Sequence, residues 1–137
     1  MPIIHVHLKK GTTKAFRAAL SGAISEALLG TLELPADDYN QVTFEHEPEN
    51  MLYDANFWGV PRSEKMIFIS MSFNHRSAEL KARLFENVAT KVVRATGTRI
   101  EDIMMNIVEI ASENWWAYGR AVNAETGFDA RMVNTPA

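Results

Sequence analysis

The sequence predicts an α+β fold in which duplicated β-α-β units form a four-stranded sheet with two helices on one face. Apolar residues alternate with period two in the strand segments and recur at helical spacing between them, and the order strand, helix, strand occurs twice. Such a unit usually makes its two strands parallel, and two units can join in one sheet. We expect a single domain over residues 1–137, with units at about 2–47 and 65–110 and a tail at 111–137.

The first unit begins at the amino terminus, where "MPIIHVHL" alternates apolar and polar side chains and predicts a strand. Thr12 or Thr13 can cap the helix that follows, and Gly30 is expected to end it in the left-handed conformation. After a break at Pro35, the segment "QVTFE" predicts the second strand.

The second unit repeats this order. "KMIFISMSF" predicts a strand, Ser77 can cap a helix that Gly97 ends, and "DIMMNIVEI" predicts the fourth strand. The connecting segment "EPENMLYDANFWGVPRSE" is long and aromatic, which indicates a short hairpin or a functional loop.

Composition excludes several classes of function. A net charge of -3 with interspersed signs offers no surface for a phosphate backbone, so no nucleic acid partner is expected. The chain has no cysteine, no membrane-spanning run and no signal peptide pattern, and we expect a cytoplasmic protein without a membrane partner. No phosphate-binding loop is present, and His5 and His7 share a strand face without a third ligand, so neither cofactor nor metal is expected.

Three residues are candidates for chemistry. If Met1 is removed, Pro2 becomes a secondary amine, whose pKa burial or a nearby guanidinium would lower toward neutrality, so that it could act as a base. Arg76 follows the third strand and can hold a substrate carboxylate; otherwise it is a solvated arginine. Asp38 can orient a carbonyl, bond to the amine or activate water; otherwise it caps a turn.

The tail is rich in aromatic residues. Trp115, Trp116 and Tyr118 are candidates for an apolar wall of a binding pocket. Aromatic residues in such a tail are also typical of an interface or a core, and the sequence does not separate these alternatives.

The proline after Met1 on a strand, the two β-α-β units and the arginine after the third strand together resemble the tautomerase superfamily. Within it, "PADDYNQVTFEHEPENMLYD", "NHRSAELKARLFENVA" and the tail "NWWAYGRA...ETG" are most similar to the malonate semialdehyde decarboxylase-like branch. The resemblance implies a homotrimer and a pocket near a subunit boundary. It makes Pro2 the catalytic proline, Asp38 the pocket acid and Arg76 the second arginine of an Arg-x-Arg motif, in which Asn74 replaces the first arginine.

These observations predict a cofactor-independent tautomerase acting on a small 2-keto acid or its enol. Pro2 would move the proton, Arg76 would hold the carboxylate, and the expected substrate-binding residues are Asn74, Trp115, Trp116, Tyr118 and Phe57. The family's pocket tryptophan corresponds to either Trp115 or Trp116. Two alternatives stay open: a decarboxylase or hydratase with a protonated Pro2, and a non-catalytic trimeric ligand-binding or scaffold protein that retains Met1.

The predicted sheet also favours assembly into a homotrimer. Alternate residues of three predicted strands offer more apolar surface than two helices are expected to cover; they are Ile4, Val6, Leu8, Ile67, Ile69, Met71, Ile103, Met105 and Ile107. The face of the sheet that the helices leave uncovered is also expected to be apolar. Three subunits would bury the uncovered faces and pair the open edges, with the tail beyond Ala111 contacting the adjacent subunit.

Overall fold

A computed structural model describes residues 1–127 and residue 129. Two helices and four long strands form the body of the fold, and a small hairpin lies in the tail. In chain order the elements are β1 (Ile3–Lys9), α1 (Lys14–Leu32), β2 (Asn40–His46), β3 (Ile67–Phe73), α2 (Ala78–Thr96), β4 (Ile103–Glu109), β5 (Trp116–Ala117) and β6 (Arg120–Ala121).

The four long strands form one mixed sheet in the order β2-β1-β3-β4. Each β-α-β unit pairs its own strands in parallel, β1 with β2 and β3 with β4, and the two units meet through the antiparallel pair β1 and β3. The α+β class, the four-stranded sheet and the two helices are therefore as the sequence predicts. The central pairing places the start of β1 beside the end of β3, since Ile3 lies opposite Ser72.

Local signals set most helix ends. The side chain of Thr13 accepts the backbone N–H of Phe16 at the start of α1, and Ser77 does the same at the start of α2, which ends at Gly97 in the left-handed conformation. The predicted end of α1 at Gly30 is wrong. The helix continues to Leu32, which it buries, and Glu33 takes the left-handed position with its N–H bonded to the carbonyl of Leu29.

The core lies between the sheet and the two helices, which pack against each other on one face. The inward-facing residues of β1 and β3 are at most 2% exposed; they are Ile4, Val6, Leu8, Ile67, Ile69 and Met71. The β4 residues that pack against this core remain partly exposed; they are Ile103, Met105 and Ile107. The two helices therefore bury the β1 and β3 residues of this surface and leave the β4 residues partly exposed.

The opposite face of the sheet is open in the single chain, and it is mixed rather than apolar. Val42, Phe44 and Met104 are between 37% and 54% exposed there, and His5 and His7 of β1 lie opposite Val42 and Phe44. His7 stacks on Phe44, and its Nδ1 lies 2.8 Å from Nε2 of His46. The expectation of an apolar open face therefore holds only in part, because histidines lie among the exposed apolar residues.

The long connection between β2 and β3 forms no hairpin. It contains two single 3-10 turns, at Pro48–Asn50 and Phe57–Gly59, and is fastened near its end by the buried carboxylate of Asp102. Asp102 accepts hydrogen bonds from both the backbone N–H and the hydroxyl of Ser63. Among the described residues no helix is both long and apolar enough to cross a bilayer.

Candidate active site

The amino terminus is the centre of the candidate site. Pro2 is buried at the start of β1, and its nitrogen forms the peptide bond with Met1. The ammonium nitrogen of Met1 lies 3.3 Å from Oδ2 of Asp38, and both side chains are only 11% exposed. Removing an ammonium and a carboxylate from water costs folding free energy, even when the two groups form an ion pair. Such pairs occur often in active sites, so the amino terminus and Asp38 are candidates for a catalytic role.

The surroundings of the amino group set its proton affinity. Burial lowers the pKa of the Met1 ammonium from its ordinary value, because the charged form loses hydration. The carboxylate of Asp38 opposes this shift, and the positive charge of Arg76 adds to it. An amino group at this end of the sheet is therefore easier to deprotonate than an ordinary amino terminus.

Asp38 reaches this position through a turn between α1 and β2. Its backbone N–H donates to the carbonyl of Pro35 at 3.0 Å, which closes the turn directly before β2. Although Oδ2 lies in ion-pair range of Met1, the contact lacks hydrogen-bond geometry, and the buried oxygen has no hydrogen-bond partner within residues 1–127 and 129. It is free to accept a proton or a hydrogen bond from a bound molecule.

Arg76 lies in the connection between β3 and α2. Its Nη1 donates to the carbonyls of Asn74 and His75, at 3.1 and 3.0 Å, so the guanidinium folds back over its own loop. Burial lowers its pKa, which Glu109 partly offsets, although an arginine stays charged at neutral pH. Its buried Nε has no hydrogen-bond partner in the described part of the chain, which leaves a donor for an anion.

Glu109, the last residue of β4, holds the loop that carries Arg76. Its carboxylate accepts the backbone N–H of Arg76 at 2.9 Å and pairs with His75 at 2.7 Å and Lys81 at 2.8 Å. The hydrogen bonds from Lys81 and from the Arg76 backbone lower the pKa of Glu109 to about 2. The loop that carries Arg76 is thus fixed to the end of β4.

Asn74 fastens the tail to the end of β3. Its Oδ1 accepts the indole N–H of Trp115, and its Nδ2 donates to the carbonyl of Gly127 at 3.4 Å. Trp115 is 7% exposed. The amide that was expected to bind substrate is therefore occupied by the tail in this structure.

The aromatic candidates occupy different environments. Trp115 is buried, whereas Trp116 is 68% exposed on the β5–β6 hairpin, so only Trp115 packs into its own chain. Tyr118, at the turn of that hairpin, extends its hydroxyl to within 3.4 Å of Oδ1 of Asn40. Phe57 is half exposed, stacks on Trp58 and does not line the cavity beside the amino terminus.

A cavity of about 340 Å³ opens beside the amino terminus. Its lining combines the turn before β2 with the tail hairpin, and the lining residues are Met1, Pro35, Asp37, Asp38, Ala117, Tyr118 and Asp129. The volume suits a small molecule rather than a macromolecule. Of the candidates named from the sequence, the structure brings Pro2, Asp38, Arg76 and Tyr118 to this end of the sheet.

Two residues of the site were missed from the sequence, Asn40 and Glu109. Asn40 donates from Nδ2 to the carbonyl of Pro2 at 3.1 Å, and Glu109 anchors the Arg76 loop. Each is a polar residue at a strand end, a position that gives no sequence signal beyond its place beside a predicted turn. No group of three or more His, Cys, Asp or Glu side chains within residues 1–127 and 129 is arranged to hold a metal ion.

Comparison with known proteins points to one family. Two family models described as tautomerase enzymes match residues 38–116 and residues 2–58. The chain is 28% identical over 123 residues to the probable tautomerase YusQ of Bacillus subtilis strain 168, covering 88% of this chain and 97% of that protein. It is 21% identical to the probable tautomerase YrdN of the same organism, covering 84% of this chain and 89% of that protein.

Solved structures share the fold over almost the whole chain. Malonate semialdehyde decarboxylase superposes with a TM-score of 0.80 at 25% identity, covering 90% of this chain and 94% of that one; its structures are described as a basis for decarboxylase and hydratase activities. A fused 4-OT symmetric trimer superposes with a TM-score of 0.74 at 21% identity, covering 90% of this chain and 98% of that one. The second likeness shows the fold alone.

Proposed function

The chain belongs to the tautomerase family, and from this and the geometry of its amino terminus we propose a cofactor-independent tautomerase that acts on a small 2-keto acid or its enol. The main support for this proposal is the position of the amino terminus, which lies beside Asp38 and close enough to Arg76 for the arginine charge to affect its pKa. Removal of Met1 would convert the Pro2 nitrogen from an amide into a secondary amine at the same end of the sheet.

The amine would be the base. Burial and the charge of Arg76 lower the pKa of the amino group at this end of the sheet, which favours a neutral Pro2 amine that can accept a proton. With an enol as substrate, Pro2 accepts the hydroxyl proton and the resulting ammonium returns a proton to the adjacent carbon. The protein ends the cycle in its starting protonation state.

Arg76 would bind the substrate, and Asp38 would orient the amine. The unpartnered Nε of Arg76 is a donor for the substrate carboxylate and stabilises enolate charge. Oδ2 of Asp38, 3.3 Å from the amino nitrogen in this structure, orients the amine.

One observation favours a second candidate, decarboxylation or hydration of a small keto acid with a protonated Pro2. The Asp38 carboxylate 3.3 Å from the amino group raises the pKa of that group, which favours the ammonium. The solved malonate semialdehyde decarboxylase supports this candidate as well. The two functions differ in the charge of the amine at pH 7: a neutral amine fits the tautomerase, and an ammonium fits the decarboxylase or hydratase.

We also propose a homotrimer in which the tail beyond Ala111 contacts the adjacent subunit. The open sheet face, with exposed Val42, Phe44 and Met104, supports burial by other copies, and the fused 4-OT neighbour is a trimer. Light scattering should give three times the mass of the chain at low micromolar concentration. A stable monomer at that concentration would contradict this assembly.

The test of the proposed function is ketonisation of an arylpyruvate enol by protein whose amino terminus is confirmed as proline by mass spectrometry. The Pro2→Ala protein should lose about 100-fold or more in rate, because the positioned secondary amine is lost. Pro61→Ala is the matched control, because Pro61 is exposed in the long connection. Equal rates for wild type and Pro2→Ala would refute the proposal, and a protein that retains Met1 in its native cell would favour the non-catalytic alternative.

A further inference from the structure

Asn40 connects the amino terminus to the wall of the cavity. As the first residue of β2 it pairs with Ile3 of β1, directly beside Pro2. Its Nδ2 donates to the carbonyl oxygen of Pro2 at 3.1 Å, and its Oδ1 lies 3.4 Å from the hydroxyl of Tyr118, which donates to it. One amide therefore contacts both the residue that carries the amine and the tail hairpin.

The backbone of Tyr118 is held in an unfavourable conformation. Tyr118 and Gly119 form the two-residue turn between β5 and β6, with φ angles of 53° and 100°. The left-handed region is poorly suited to a bulky side chain, whereas Gly119 adopts it freely. A large residue kept at such a position within a cavity lining indicates that its side chain has a role there.

We propose that Asn40 is a positioning residue for the Pro2 amine, held in orientation by the hydroxyl of Tyr118. The inference deepens the proposed function and rests on it for the role of Pro2. The ring nitrogen and the carbonyl of Pro2 are joined through Cα, and only rotation about the Cα–C bond changes their relative orientation, so fixing the carbonyl restricts the direction of the nitrogen lone pair. Tyr118 fixes the amide plane of Asn40, and the tail hairpin thereby influences the geometry of the base.

Loss of this contact should affect the chemical step more than substrate binding. Without Asn40 the first residue would gain freedom at the strand end, and a small misplacement of a reacting group costs up to about 100-fold in rate. The amine would also be better hydrated, so its pKa should rise toward the ordinary value. The charged groups facing it, Asp37, Asp38, Arg76 and Asp129, are unchanged by the substitution.

The test compares Asn40→Ala, Tyr118→Phe and the double variant, each with a confirmed proline amino terminus. Asn40→Ala should lower kcat about 10- to 100-fold with KM within about threefold of wild type, and should move the acid limb of the pH profile upward. Tyr118→Phe should cause a smaller loss, and none when Asn40 is already alanine. Asn87→Ala is the control, because it removes an asparagine bonded to Thr31 between the helices, away from the amino terminus.

An unchanged kcat and pH profile in folded Asn40→Ala would overturn the proposal, as would a rise in KM alone. If wild type shows no tautomerase activity, the proposed function fails, and the pH dependence of arylation of the Pro2 amine by fluorodinitrobenzene then decides this inference separately. A higher amine pKa in Asn40→Ala supports positioning, and identical profiles overturn it. If Asn40→Ala does not fold, the same labelling of Tyr118→Phe decides, since that side chain is 77% exposed.

Discussion

Replacing Gly127 by alanine should release the tail from the end of β3. Gly127 has φ +73°, and an added Cβ would lie 2.7 Å from Nδ2 of Asn74 and 3.0 Å from the hydroxyl oxygen of Ser112. Asn74 cannot simply turn away, because its Oδ1 accepts the indole N–H of Trp115. The substitution therefore strains the backbone and breaks the contact that fastens the tail.

The expected cost has two parts. Alanine in the left-handed conformation costs roughly 1 to 2 kcal/mol, and losing the Trp115 hydrogen bond costs about 1 kcal/mol. A total of about 2 to 3 kcal/mol raises the population of the detached tail roughly 30- to 150-fold. Gly97 is the matched control, because its φ of +71° is almost the same and an added Cβ would meet nothing within 4 Å.

The assay is the fluorescence of Trp115 after Trp58 and Trp116, which are 86% and 68% exposed, are replaced by phenylalanine. In Gly127→Ala the emission should shift to longer wavelength and acrylamide quenching should increase, because the 7% exposed indole becomes hydrated. Gly97→Ala should lose roughly 1 to 2 kcal/mol of unfolding free energy in urea with unchanged quenching. Identical fluorescence of Gly127→Ala and the parent protein would refute the assigned contact.

Three further predictions concern the charged residues of the site. Arg76→Ala should raise KM for a 2-keto acid roughly 30- to 150-fold, because a hydrogen bond to a charged group contributes about 2 to 3 kcal/mol. Arg76→Lys should recover only part of the lost affinity, since lysine lacks the planar guanidinium. Equal KM values for Arg76→Ala and wild type would exclude Arg76 as the carboxylate ligand. Asp38→Asn should lower the pKa of the Pro2 amine, because Asp38 raises the pKa of an amino group there, so the acid limb of the pH–rate profile should move downward; an upward shift would contradict this. The pKa of Glu109 is about 2 in the folded chain, against 4.5 for an ordinary glutamate. The ionised carboxylate therefore contributes fully to the free energy of unfolding above about pH 4.5, and this contribution is lost as the pH falls through about 2. Urea unfolding between pH 2 and 6 should show a smaller decrease in stability for Glu109→Gln than for wild type, and equal decreases would contradict that role.

Much of the fold is encoded in local sequence patterns. The alternation in β1 predicts the buried face of that strand, and the caps at Thr13, Ser77 and Gly97 predict three helix ends that the structure confirms. The helix end predicted at Gly30 is wrong, because a glycine ends a helix only when the following residues bury no further apolar surface by continuing it. Here Leu32 gains a buried position, and that gain outweighs the strain of a left-handed Glu33.

The candidate site was predicted less completely. Pro2, Asp38 and Arg76 lie far apart in sequence, and their proximity depends on the antiparallel pairing of β1 with β3, which the local patterns do not predict. Asn40 and Asn74 look alike in sequence, yet Asn40 joins the amino terminus to the tail hairpin, whereas Asn74 contacts only the tail through its side chain among the described residues. Such assignments depend on tertiary geometry, as does the separation of buried Trp115 from exposed Trp116.

Proton exchange in deuterated water tests directly whether a free Pro2 amine is the base. The same chain is prepared with Met1 retained and with Met1 removed by an aminopeptidase, and incorporation of deuterium at the carbon next to the carbonyl of an arylpyruvate is followed by NMR. We expect catalysed exchange by the Met1-free protein and only the uncatalysed rate with Met1 retained, because an amide nitrogen has no basicity. Equal exchange by the two forms would contradict it.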